Sequence, residues 1–95
     1  MTEFARKVYE EARKIPPGKT ITYGELAGRI GHPGAARAVG TALKKNPFVP
    51  EVPCHRVVRS DGNIGGYARG GTRAKISILR QEGVLIMGKK IITAF

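Results

Sequence analysis

Apolar residues recur at helical spacing near the N-terminus. The repeating positions are Phe4, Val8, Ala12 and Ile15. This period is typical of one face of an α-helix. Glu3 in the first turn and Arg13-Lys14 in the last turn suit the helix dipole, and Pro16-Pro17-Gly18 ends the pattern. The sequence therefore predicts a helix from Thr2 to about Lys14.

Two shorter helices are predicted next. Thr22 and Glu25 have the spacing of a capping box, and Gly31 is placed for a left-handed C-terminal cap. A second helix is predicted from about Gly34 to Lys45, with Val39 and Leu43 on its core side. Two short helices joined by a tight turn indicate a helix-turn-helix, whose second helix enters a DNA groove.

The last half of the chain has shorter patterns. Val57-Val58 predict a short strand, residues 60–63 a turn, and residues 64–71 a glycine-rich loop. Thr72 is predicted to cap a further helix that Gly83 stops, and residues 84–87 and 91–93 are predicted to form a terminal hairpin. The expected fold is mainly α with short β elements, a winged helix-turn-helix-like three-helix domain that spans residues 1–95.

The second helix of the helix-turn-helix is rich in small residues: Ala35, Ala36, Ala38, Gly40 and Ala42. Small side chains let a backbone approach a narrow groove, although close packing between helices explains them equally well. A helix with one arginine and few long polar side chains is a poor reader of bases in the major groove. The pattern favours minor-groove or low-specificity binding.

Charge is the strongest signal in the composition. Seventeen Lys+Arg against seven Asp+Glu give a formal net charge of +10. Such an excess on a small domain favours a nucleic-acid partner over a merely basic surface. No long apolar run or signal peptide is visible, so we expect no membrane contact and a cytoplasmic protein, or a nuclear one in a eukaryote. We also expect a monomer.

Cys54 is the only cysteine. A thiolate is the reactive form, and His55 and Arg56 beside it could favour the anion, although adjacent residues on a strand face opposite sides. The alternative is a buried, inert thiol. One cysteine forms no internal disulfide, and one cysteine with two histidines makes no recognisable zinc site. We therefore expect neither a metal nor a cofactor.

Six motifs occur in one order. They are ITYGELA at residues 21–27, AARAVG at 35–40, NP at 46–47, PCHRVV at 53–58, GGY at 65–67 and EG at 82–83. Together they closely resemble the C-terminal domain of the O6-alkylguanine-DNA alkyltransferases, over about residues 4–83. The resemblance implies a DNA repair enzyme, a methylated-DNA–[protein]-cysteine S-methyltransferase that reacts once and inactivates itself.

The resemblance also implies roles for individual residues. Cys54 accepts the alkyl group, and His55, oriented by Glu82, deprotonates it through a water. Asn46 braces the active-site turn. Tyr23 rotates a phosphate and donates a proton towards the guanine, while Arg37 fills the gap that the extruded base leaves.

Further residues are implied as binding contacts. The implied pocket consists of Tyr23, Arg37, Val57, Tyr67 and Ala68. The implied DNA-binding set consists of Tyr23, Gly24, His32, Ala35, Ala36, Arg37, Ala38, Gly40, Thr41 and Ser60. The implied partner is double-stranded DNA that carries O6-alkylguanine.

Three features depart from the family pattern. The family's usual N-terminal domain has no counterpart, so we expect a minimal protein, a fragment or part of a fused polypeptide. Ala68 stands where many members carry serine, and the terminal hairpin matches no family motif. Two rivals remain: an alkyltransferase-like lesion sensor without transfer activity, and a basic transcription regulator. Sensors of this size lack the cysteine, so Cys54 argues against the first.

Overall fold

Three helices pack on one another in the computed structural model, which describes residues 1–48, 51–65 and 71–92. They are α1 (Glu3–Ala12), α2 (Tyr23–Arg29) and α3 (Ala36–Lys44). Each contributes a fully buried side chain to one core: Val8, Leu26 and Val39. This unit confirms the predicted three-helix, helix-turn-helix-like arrangement.

The helix ends follow the predicted signals. Thr22 accepts from the Glu25 amide at 3.0 Å, and the Glu25 carboxylate accepts from the Thr22 amide at 3.1 Å, so the capping box is complete. At the other end of α2, Gly31 has a φ of +83° and the His32 amide donates to the Ala27 carbonyl at 2.9 Å. This Schellman-type stop turns the chain sharply towards α3.

A two-stranded parallel sheet links the helix-turn-helix to the cysteine segment. Strand β1 (Ile21–Thr22) pairs with β2 (Val57–Val58), with Ile21 opposite Val57. The predicted strand at Val57-Val58 is confirmed. Because β1 leads directly into α2 and β2 directly follows the cysteine turn, the pairing sets the start of α2 beside that turn.

A second apolar cluster lies under helix α4 (Gly71–Gln81). Its buried members are Ile64, Leu79, Val84 and Ile86. The predicted capping by Thr72 is wrong: α4 already begins at Gly71, and the Thr72 hydroxyl donates instead to the Gly65 carbonyl at 3.1 Å. No helix in the described ranges is long and apolar enough to cross a bilayer.

The predicted terminal hairpin is present over its described residues and binds Gly62 and Ile64, while Thr93 lies outside the described residues. Strands β3 (Ile86–Met87) and β4 (Lys90–Ile91) pair antiparallel. The Ile64 amide donates to the Lys89 carbonyl at 2.8 Å, and the Ile91 amide donates to the Gly62 carbonyl at 3.0 Å. The hairpin thus fixes residues 59–65, called the wing loop below.

Candidate active site and DNA-binding surface

Cys54 opens a 3-10 turn that covers Cys54–Arg56. Pro53 lacks an amide hydrogen, and its carbonyl accepts from the Arg56 amide at 2.9 Å. Cys54 is partly exposed, whereas His55 is only 5% exposed. Because these residues form a turn, the concern that neighbouring strand residues must face opposite sides does not apply.

Asn46 holds the segment that leads to the cysteine. Its side-chain Nδ2 donates to the Val52 carbonyl at 2.9 Å, and its Oδ1 accepts from the Phe48 amide at 2.8 Å. The residue is 3% exposed, so these bonds replace water that the buried amide has lost. Asn46 therefore ties Phe48 to Val52, and the bracing role in the active site that the resemblance implies stays a prediction.

His55 and Glu82, 27 residues apart, meet beneath the turn. His55 Nε2 lies 3.0 Å from Glu82 Oε2, and the two side chains are 7% and 16% exposed. Burial alone would raise the pKa of Glu82, but hydrogen bonds from Arg56 and His55 outweigh it and lower that pKa. Glu82 is therefore an ionised acceptor that can orient the imidazole.

Arg56 binds the same carboxylate from the side. Its Nε and Nη2 donate to Glu82 Oε1 and Oε2 at 3.0 and 2.6 Å, and its Nη1 donates to the Ile15 carbonyl at 2.8 Å. The expectation that Arg56 supplies positive charge to the thiol needs correction. Its guanidinium is directed to Glu82 and to the end of the α1 segment.

Lys75 is a buried cation that interacts electrostatically with Cys54, and the sequence analysis missed it. The residue is fully buried, and its Nζ donates to the Val57 carbonyl at 2.8 Å. Burial lowers the pKa of Lys75 to about 8, and interaction with Cys54 opposes that shift. The helical spacing does indicate that Lys75 is buried, because it lies four residues before Leu79 on the apolar face of the predicted helix.

Tyr23 borders the same site from α2. Lys75 Nζ lies 5.8 Å from the centre of its ring, and a Cβ at Gly40 would lie 3.8 Å from its Cε1. Burial raises the pKa of Tyr23, Cys54 adds to the rise, and Arg59 opposes it. Tyr23, Cys54 and Lys75 therefore share one electrostatic environment between α2 and α4.

The predicted DNA-binding residues lie mainly on and around α3. The exposed ones are Gly24, His32, Arg37, Ala38, Thr41 and Ser60, and the partly exposed ones are Tyr23, Ala35, Ala36 and Gly40. His32 packs edge-on against Phe4, with ring centres 5.4 Å apart. The small residues leave the α3 backbone near the surface, next to the guanidinium-bearing Arg37. Their contacts with DNA stay predictions.

Tyr67 and Ala68 lie outside the described residues. The side chain of Val57 is fully buried in the core, so a contact between Val57 and a bound base would have to come from its backbone. Its carbonyl is already an acceptor for Lys75.

Fold and site together define a winged helix-turn-helix-like domain with a partly exposed cysteine beside a buried His–Glu pair. The family model of the 6-O-methylguanine DNA methyltransferase DNA-binding domain matches residues 3–84. The chain belongs to this family, as the resemblance indicated.

Named relatives agree with this membership. The methylated-DNA–protein-cysteine methyltransferase of Methanothermobacter thermautotrophicus is 48% identical over 88 residues, which are 93% of this chain and 48% of the relative. The protein of the same name from Salmonella typhimurium is 49% identical over 86 residues, 90% of this chain and 50% of the relative. The chain thus spans about half the length of these curated relatives.

Solved structures give the same fold. Mycobacterium tuberculosis OGT in complex with DNA matches with a TM-score of 0.83 and 46% identity, over 86% of this chain and 50% of that chain. S. pombe Atl1, in complex with damaged DNA containing O6-carboxymethylguanine, matches with a TM-score of 0.81 and 41% identity, over 92% of this chain and 82% of that chain.

Proposed function

We propose that this chain repairs O6-alkylguanine in duplex DNA by moving the alkyl group irreversibly to Cys54. The observation that carries the proposal is the buried His55–Glu82 contact of 3.0 Å, whose histidine is the chain neighbour of the partly exposed Cys54. A thiol becomes a strong nucleophile when a positioned base removes its proton. Glu82 orients that base.

The transfer balances as a single displacement. His55 takes the thiol proton through a bridging water, and the Cys54 sulfur attacks the alkyl carbon. A new S–C bond forms while the bond from that carbon to guanine O6 breaks. Tyr23 donates a proton towards the departing guanine, which improves the leaving group. The resulting thioether has no route back to a thiol, so each protein reacts once.

Lys75 supports the anionic sulfur in this scheme. Its ammonium is buried near Cys54, where the low dielectric makes its field stronger than in water. The hydrogen bond from Lys75 to the Val57 carbonyl fixes the ammonium next to the strand that follows the turn.

DNA docks through α3 in this proposal. The formal charge of +10 supplies attraction to the phosphates, and the small residues of α3 allow close approach to the minor groove. An alkylated base inside the duplex cannot reach Cys54, so it must be extruded. Exposed Arg37 would occupy the space that the base leaves.

Lesion sensing without transfer is the second candidate. The match to S. pombe Atl1 covers 82% of that chain, whereas the matches to the curated methyltransferases cover about half of each. Cys54 distinguishes the two candidates because only a transfer protein needs a nucleophile.

Intact-protein mass spectrometry tests the proposal. The chain is mixed with duplex DNA that contains one O6-methylguanine with a deuterated methyl, beside a Cys54→Ser control. We expect one labelled methyl on the wild type and none on the control. Unchanged mass together with retained binding to the lesion would establish the sensor function instead.

A further inference from the structure

Arg59 is held at the start of the wing loop by a firmly anchored backbone. Its amide donates to the Asn63 carbonyl at 3.0 Å, and its carbonyl accepts from the Gly62 amide at 3.0 Å. The terminal hairpin in turn binds Gly62 and Ile64. The Cα of Arg59 therefore has a fixed position relative to the sheet that carries Val57.

The stem of the Arg59 side chain is supported, and its head faces solvent. Arg59 Cγ would lie 3.3 Å from a Cβ placed on Gly65, so the stem packs against that glycine. The side chain is nevertheless 61% exposed. Its ion pair with Asp61, itself 55% exposed, is long at 3.9 Å. An exposed pair of this length holds a guanidinium weakly.

Arg59 lies between the wing loop and the residues around Tyr23. Arg59 and its exposed neighbour Ser60 line one surface groove with Thr22, the residue before Tyr23. Lys75 Nζ would lie 3.8 Å from the same Gly65 Cβ position that the Arg59 stem contacts. The field of Arg59 also lowers the pKa of Tyr23, against the rise from burial and from Cys54.

We propose that Arg59 is a phosphate-binding residue, which adds a guanidinium to the wing-loop contact expected at Ser60 and clamps the backbone of the DNA strand that passes Tyr23. This inference rests on the DNA binding of the proposed function. A planar guanidinium matches two phosphate oxygens, and a stem already packed against Gly65 loses little freedom when the head binds. The α3 helix itself offers few long polar side chains, so a contact from the wing loop adds positioning that α3 lacks.

Equilibrium binding of unmodified duplex across a salt titration tests the proposal. Arg59→Gln removes the positive charge, and Arg59→Lys keeps the charge but lacks the planar guanidinium. Lys14→Gln is the matched control, because Lys14 pairs with Glu11 on a face of α1 that lines a groove with α2 rather than with α3. Circular dichroism and the melting temperature of each variant establish that it is folded.

The expected result is a change in salt slope. Arg59→Gln should reduce the slope of log K against log salt by about 0.9, so its deficit relative to wild type should shrink about 3.5-fold between about 50 and 200 mM salt. Arg59→Lys should retain the slope with weaker binding, and Lys14→Gln should keep the wild-type slope. Equal slopes for wild type, Arg59→Gln and Lys14→Gln would overturn the proposal.

Asp61→Asn should change DNA affinity in the direction opposite to Arg59→Gln. Asp61 Oδ1 accepts from the Asn63 amide at 2.9 Å, and asparagine keeps an oxygen for that bond. Loss of the carboxylate releases Arg59 and removes a charge that repels phosphate, so affinity should rise in the wild-type background. In the Arg59→Gln background the gain should be smaller, because no guanidinium remains to be released; an equal gain in both would count against the clamp.

The rate of alkyl transfer separates this proposal from the proposed function. Arg59→Gln should slow transfer from duplex at limiting DNA and leave the reaction with free O6-alkylguanine base unchanged. Equal slowing on both substrates would mean that Arg59 acts on Tyr23 or Cys54, and would overturn the phosphate assignment. If the wild type transfers no alkyl group, the proposed repair function is wrong. The salt slopes measured with unmodified DNA still decide whether Arg59 binds phosphate.

Discussion

Lys75 Nζ donates a 2.8 Å hydrogen bond to the carbonyl oxygen of Val57, which ties the inner face of α4 to the strand that follows the cysteine turn. The ammonium is fully buried, and burial lowers its pKa to about 8. A buried cation is costly unless it is hydrogen-bonded, so this contact offsets part of the cost of burying the ammonium.

Lys75→Met should change how stability depends on pH. Between about pH 8 and 10.5 the folded wild type has released the Lys75 proton that the unfolded chain still holds, so wild-type stability rises with pH there, by up to about 3 kcal/mol from this group. The variant lacks this rise. Urea unfolding at about pH 7 and about pH 10 measures the difference. If the free energy of unfolding differs between wild type and variant by the same amount at both pH values, the lowered pKa of Lys75 is contradicted.

The same variant should slow the reaction of Cys54. Because the variant loses the favourable interaction between the buried ammonium and the Cys54 sulfur, we expect alkylation by iodoacetamide at neutral pH to become several-fold slower. Arg73→Met is the matched control, because Arg73 is an exposed cation on the same helix. If both variants slow the thiol equally, the effect comes from net charge and not from Lys75.

Glu82→Gln should destabilise the domain by about 2–4 kcal/mol, because it leaves the largely buried guanidinium of Arg56 without its counter-charge. The pKa of Glu82 is lowered, so its contribution is present above the ordinary value of 4.5 and is lost as the pH falls through the lower folded value. Urea unfolding from about pH 7 to about pH 3 should therefore show weaker acid sensitivity in the variant. Arg56→Gln added to Glu82→Gln should cost less than the sum of the single changes, and strict additivity would argue against coupling.

Asn46→Ala should both destabilise the domain and disturb the thiol. It removes the acceptor of the Phe48 amide and the donor to the Val52 carbonyl, with an expected cost of about 2 kcal/mol or roughly 10 °C in Tm. Because this asparagine positions the segment before Cys54, iodoacetamide should also react at a different rate. Asn63→Ala, which loses a bond to the Gly65 amide in the wing loop, should leave that rate unchanged.

Gly40→Ala should stabilise the fold and weaken DNA binding. A Cβ at Gly40 would meet the Tyr23 ring at an ordinary 3.8 Å, so alanine fits and adds up to about 1 kcal/mol of helix propensity. It also thickens the surface that α3 presents to the groove, and we expect affinity for duplex to fall roughly tenfold. Gly28→Ala on α2 has no atom within 4 Å of its Cβ and should stabilise without this loss. Unchanged affinity in Gly40→Ala would mean that the glycine serves packing alone.

Local signals in the sequence predicted most of the helical framework. The capping box at Thr22 and the stop at Gly31 involve atoms only a few residues apart, so the local chain decides them. The same reasoning misplaced the start of α4, because the Thr72 hydroxyl donates to the carbonyl of Gly65, seven residues earlier, instead of capping the helix. Sequence spacing gives no measure of that distance.

The sequence by itself determined the helix-turn-helix, the basic charge, the single thiol and the family motifs, because composition, helical period and motif order are properties of the chain in one dimension. The tertiary structure decided that Arg56 serves Glu82 rather than the thiol, that Lys75 is the buried cation near Cys54, and that the hairpin fixes the wing loop. Each of these contacts joins residues that are 18 or more positions apart in the chain. Such contacts are selected by burial, where a charged group must find a partner through space, and the pairing follows from how the elements pack.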